Sequence, residues 1–308
     1  MFYFTQANTG YATIGISLPN RPPDTTSPRR IPMTVALGYY CRVLAAFARN
    51  SLVRDMTFRG NFLIECVSSL SWVLMNFGYY WLIFQYTGMI GADSGWGKYE
   101  FFAFLATSLF INSLVEAFFM PNTEEFSELV RTGGLDFALT KPIDTQFLIS
   151  FAKVDWSSLA NFLFAALLLG FALPRLAAPP PAIAYLLYPL YILCGVALLY
   201  SLMIVLAASS VWLGRNQNLY DFWFYITNFS RYPMEIYAGP LGNPLRIAFT
   251  YIVPVLIVVN VPARLLAQPL SGENVWLAFY AVGATAAALV VSRWVFLQSL
   301  KGYRSASS

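Results

Sequence analysis

The sequence predicts an all-α membrane protein. It would have six transmembrane helices, an N-terminal amphipathic interfacial helix and a short cytoplasmic helix between the second and third spans. Three observations predict it. Of 308 residues, 58% are hydrophobic and 11% charged, whereas a soluble domain carries about 25% charged residues. Apolar stretches recur along the chain, several reaching the roughly 20 residues a helix needs to cross a bilayer core. Arg21, Arg29, Arg30, Arg42, Arg49, Arg54 and Arg59 precede the first of them, opposed only by Asp24 and Asp55. An excess of basic residues beside a first span sets a cytoplasmic N-terminus.

The same composition removes several chemistries. The chain has no histidine, so it has no imidazole base and no histidine-ligated metal. Cys41, Cys66 and Cys194 are far apart and form no CxxC pair. They read as small buried hydrophobes, not as a zinc site or a disulfide framework. The basic N-terminal region suits anionic lipid headgroups better than nucleic acid.

Residues 1–32 are polar and carry Pro19, Pro22, Pro23, Pro28 and Pro32. They lack the basic start and compact apolar core of a signal peptide and read as a disordered cytoplasmic tail. Residues 33–308 form the membrane domain. In residues 33–58, Tyr40, Val43, Leu44 and Phe47 share one helical face and Arg42 and Arg49 lie opposite, as suits a helix in the plane of the headgroups. The first span covers about 61–90 and ends in a glycine-rich outer loop; the second returns over about 100–120. Residues 121–146 are polar and lie inside. The third span covers about 147–173, and the prolines of LPRLAAPPP turn the chain outside. The fourth covers 182–213 and the last 275–298, followed inside by Lys301 and Arg304.

Residues 219–270 admit two arrangements. In one, 219–230 lies at the inner interface and 247–263 crosses, which keeps Arg215, Arg231 and Arg246 together inside. In the other, 219–236 crosses and the later apolar run is re-entrant, its broken backbone needing protein or water partners. The first is preferred. Either gives six spans with both termini inside. No repeat of 20–50 residues is evident.

The inner loop PNTEEFSELVRTGGLDFALTKPIDTQ (121–146) carries the most information. Asn122 would N-cap a helix, with Glu125 closing a capping box. Glu124 and Glu125 favour the helix's positive end. Phe126, Leu129 and Val130 form a short apolar edge, and Gly133-Gly134 stops the helix. Such an edge outside the membrane wants a groove, either on another protein or among the chain's own helix ends.

This loop resembles the coupling segment of permease subunits of bacterial type-2 ATP-binding-cassette transporters, where a T/S-G-x-L-D-x-x-L-x-[KR]-P run follows the second span. Arg231–Leu266, with its Tyr-Pro, Ile-Val-Pro and Val-Pro-Ala elements, and the terminal LKGYRSASS resemble the same branch. The likeness covers most of 34–308. It implies that 122–139 holds a helix that docks on a separate ATPase, through Glu124, Glu125, Phe126, Leu129, Arg131, Gly133, Gly134, Leu135, Asp136, Lys141 and Pro142. Asp136 would cap the next turn. The chain has no G-x-x-x-x-G-K-[ST] phosphate loop, so ATP and magnesium would sit on two copies of a partner ATPase. A second permease, identical or homologous, would complete the path. The implied location is a bacterial inner membrane and the implied direction export, without covalent chemistry in this chain.

Glu65 and Glu116 fall inside spans, where ionisable groups are functional suspects; Arg293 lies close enough to the inner boundary to snorkel. These carboxylates support a second reading, a proton-coupled secondary transporter. A membrane scaffold within a larger complex is a third. The many aromatics, Trp72, Tyr79, Tyr80 and Trp81 among them, read mainly as an interfacial belt.

Overall fold

A computed structural model describes residues 33–91, 94–213, 219–268 and 272–303. The expected N-terminal tail, Arg215, Arg304 and the terminal Ser-Ala lie outside the described residues. The chain divides into two units, Met1–Tyr40 and Cys41–Ser308. Of the first, the described part is the start of a helix; the helical bundle belongs to the second.

All regular elements among the described residues are helices. They are α1 (Met33–Thr57), α2 (Arg59–Tyr86), α3 (Lys98–Phe118), α4 (Met120–Thr132), α5 (Leu135–Leu139), α6 (Thr145–Phe151) and α7 (Leu159–Ala172), then α8 (Ala182–Leu213), α9 (Leu219–Asn228), α10 (Gly242–Ile247), α11 (Leu256–Ala267) and α12 (Gly272–Gly302). Among the described residues four stretches are long and apolar enough to cross a membrane: Arg59–Tyr86, Lys98–Thr132, Ala182–Trp212 and Val275–Gly302; a bent pair, Gly242–Ile252 with Leu256–Ala267, makes up to five.

The bundle has two ends. At one, α4, α5 and α6 meet the C-terminus of α12. At the other, the 87–97 loop carries Trp96, fully buried against Phe104. The core between them is aromatic and aliphatic, with α3, α7, α8, α11 and α12 supplying most of it. In contrast α2 stays exposed along most of its length; Tyr80 and Phe84 are its anchors, packed on Phe101.

Three expectations are corrected. The stretch 147–173 is not one helix. α6 ends at Phe151, residues 152–158 are non-helical, and α7 starts at Leu159. The backbone leaves the helix there because the amides of Lys153, Val154 and Asp155 bond to acceptors on other elements. The stretch 247–263 is not one straight helix either. One turn of π-helix, Ala248–Ile252, and Pro254, which has no N–H to donate, break it, and the two arms meet at 90°. The second arm, α11, is buried through Leu266.

Finally, 219–236 is not one continuous helix: α9 ends at Asn228, and two short 3-10 turns, Phe229–Arg231 and Met234–Tyr237, follow it. The chain then reaches Glu235, which accepts from Trp96 Nε1 at 2.9 Å. Arg246 lies beside Met234.

Candidate functional site

The polar loop folds into α4, a turn, α5 and the approach to α6. α4 does not start at an Asn122 cap. It continues α3 through a break at Phe119, and no side chain caps it. Pro121 fits because the first turn of a helix tolerates a missing N–H. Gly133 ends the helix in the left-handed region, at φ 76°. Gly134 sits tight under Leu129: a Cβ there would stand 2.8 Å from Leu129 Cδ2. These glycines turn the chain so closely that α5 packs back on α4.

The apolar edge of α4 faces inward. Phe126 is fully buried against Phe296 of α12, and Leu129 joins the same cluster with Leu135, Ala138, Leu148 and Ile149. Phe126 and Leu135 therefore hold the site and are not part of its surface. The exposed side carries Glu124, Glu128, Arg131, Leu139, Lys141 and Pro142, with Glu128 and Arg131 paired. Glu125 is half-buried and lies 3.0 Å from Lys153 Nζ. Asp136 does not act as a helix cap; it lies in the first turn of α5. Burial and the adjacent Asp136 carboxylate push the Tyr303 hydroxyl above its usual pKa.

Sequence reading missed Phe137. It is 78% exposed at the tip of the loop, and Leu139 stands beside it. The signal was present as an apolar residue just after GGLD, on a helix too short to hide both of its faces.

The site is tied to the bundle through Arg293. Its guanidinium grips Asp144 with two bonds, at 3.1 and 2.5 Å, and donates to Gln146 Oε1 at 2.9 Å. Gln146 Nε2 donates to the Tyr200 hydroxyl, which also meets Ser150 Oγ, both at 2.9 Å. Arg293 thus pairs rather than snorkels. Asp144 also caps α6 by accepting from Phe147 N at 3.0 Å. Burial would raise the Asp144 pKa, but the bonds from Arg293 and the Phe147 amide outweigh it and hold the carboxyl below its usual range. A depressed carboxylate contributes stability above its unfolded pKa, near 3.9, and loses it as pH falls through the lower folded value. The thermal midpoint of the wild type should therefore drop below about pH 4 more steeply than that of Asp144→Asn, measured by heating detergent-solubilised protein across pH. Parallel curves would contradict the role given to this carboxylate.

The two candidate carboxylates, Glu65 and Glu116, lie on different helices, α2 and α3. Glu65 is exposed on α2 and accepts from Asn61 Nδ2 at 2.6 Å. Glu116 is half-buried two turns before Thr123 on the α3–α4 rod. Among the described residues no cluster of acidic, cysteine or histidine side chains could hold a metal ion.

A family model described as ABC-2 family transporter protein matches residues 70–307. No curated protein and no solved structure matches the chain. The match takes in the Gly133-Gly134 turn, the Lys141-Pro142 exit and Tyr303, which the fold gathers at one end of an apolar helical bundle. On that match, the chain belongs to the ABC-2 transporter family, as a permease-type membrane component.

Proposed function

We propose that this permease is the membrane half of an ATP-driven exporter, and that α4 and α5 dock on its ATPase. The observation that carries the reading is the tip at Phe137. An aromatic ring stands exposed between charged residues, on a platform whose other face is locked into the bundle by Phe126 and Leu135. A rigid platform with an exposed aromatic anchor is what a protein groove recognises, and rigidity lets it transmit a push. Glu124, Glu125, Leu129, Arg131, Gly133, Gly134, Asp136, Lys141 and Pro142 shape or surround that tip.

The rest of the reading follows from this one. Two ATPase copies carry ATP and magnesium. Two permeases, identical or homologous, enclose the path, and closure of the ATPases switches it between inward- and outward-open states. The chain crosses a bacterial inner membrane six times, counting α2, α3–α4, α7, α8, the α9 segment and α12. Both termini are cytoplasmic and α10–α11 is re-entrant. This chain does no covalent chemistry. Phe137→Asp should reduce recovery of the ATPase with the tagged permease by more than about tenfold, the loss of one hot-spot side chain. Membrane insertion should be unchanged. Full recovery with Phe137→Asp, or transport that persists after the ATPase is deleted, would overturn the reading, the latter in favour of proton-driven transport.

A further inference from the structure

A helical carbonyl accepts from the amide four residues on. For Ala117 that residue is Pro121, which has no N–H. The Asp155 amide donates to Ala117 O instead, at 2.8 Å. The Phe118 carbonyl is released too, because the Asn122 amide bonds to Phe119 O at 3.2 Å. Asn122 Nδ2 fills that gap at 2.7 Å.

The same side chain then pairs with the Lys153 backbone in both directions. Nδ2 donates to Lys153 O at 2.7 Å and Oδ1 accepts from Lys153 N at 2.8 Å, as a neighbouring strand would. Next along the link, the Val154 amide donates to Ser51 Oγ at 3.0 Å, and Trp156 Nε1 donates to Ala48 O at 3.1 Å. The non-helical link 152–158 is therefore held by α1, by α3 and by the start of α4, with Asn122, nearly fully buried, at the centre. Satisfying so many backbone groups with one side chain fixes the geometry of the joint.

We propose that Asn122 is a positioning residue for coupling. It locks the proline joint between α3 and α4 to the link before α7, so a push on α4–α5 moves α7 and α1 instead of being absorbed at Phe119. The inference rests on the docking reading above, and the test separates the two. The complex with its ATPase is purified in lipid nanodiscs, and hydrogen exchange is followed by mass spectrometry with and without ATP plus orthovanadate.

In the wild type, nucleotide trapping should change protection over 120–139 and also over 159–172. Asn122→Ala should keep the first response and lose the second. Its resting exchange at Lys153 should rise about tenfold, as expected for losing one net hydrogen bond. Asn122→Asp, which keeps the acceptor for the Lys153 amide, should fall between, and it carries the comparison if the alanine variant does not assemble. Lys153→Met, which leaves both backbone bonds in place and removes only the ion pair with Glu125, should still pass the response to 159–172. A merely structural asparagine would lower protection everywhere without separating the two responses. A wild type with no response at 120–139 overturns the docking reading. A wild type that responds in both segments, with Asn122 variants that still pass the response to 159–172, overturns the clamp alone.

Discussion

Gly195→Leu should prevent stable assembly of the bundle, at a cost of about 3 kcal/mol or more, the upper range for overpacking. Gly195 lies in α8 where it meets α3 and α11. A Cβ there would stand 2.9 Å from Ile111 Cδ1 and 2.9 Å from Val258 O. The isoleucine methyl can rotate away. The carbonyl cannot, because it belongs to the backbone of α11, which is buried along its length. Small residues let membrane helices approach this closely, and packing is what holds such helices together. Gly170→Leu is the control, since nothing lies within 4 Å of a Cβ at that position. The measurement is the fraction of monodisperse protein after detergent extraction and stepwise heating. Equal midpoints for the two variants would refute the close approach.

The membrane class was legible in the sequence because hydropathy is a property of composition, and no tertiary contact is needed to read it. The place of the candidate site was legible too, since 121–146 is the most polar loop between apolar runs. What escaped was what the fold decides by bringing distant residues together. Asn122 has the chemistry of an N-cap, but its side chain is used by the Lys153 backbone, 31 residues on, and by the Phe118 carbonyl that Pro121 releases. The same pairing explains why 147–173 reads as one apolar run yet breaks at 152–158. Phe126 and Leu129 follow the spacing of an exposed docking edge, but periodicity cannot say whether the partner is another protein or α12. Phe137, which carries the exposed surface, sits on a helix of five residues, too short for a periodic signal. For 219–270 the obstacle was different. A helix buried on all sides is apolar all round, so one straight helix and two arms bent by 90° look alike in the sequence.

The contact between Glu235 and Trp96 supports the second large effect. Glu235→Ala should lower stability by about 3–5 kcal/mol, the usual cost of removing one partner from a buried ion pair. The Arg264 side chain is 9% exposed and that of Glu235 22%. Glu235 accepts from both Arg264 Nη2 and Trp96 Nε1, so it ties the end of α11 to the 87–97 loop. Gln268 adds a second tie by donating to Ser94 O at 3.2 Å. With the carboxylate gone, the guanidinium loses the Glu235 countercharge in a poorly solvated place, and the Trp96 indole loses its acceptor. Glu235→Gln should lose less, because an amide oxygen still accepts from Trp96. The double change Glu235→Leu with Arg264→Met should recover much of the loss, since apolar replacement of a whole buried pair is often neutral or better. The order expected for the thermal midpoint is wild type, then glutamine, then alanine, with the double variant above alanine. A double variant no more stable than Glu235→Ala would show that the pair is not acting as a buried charge couple, and that α11 is held at this end by its apolar packing.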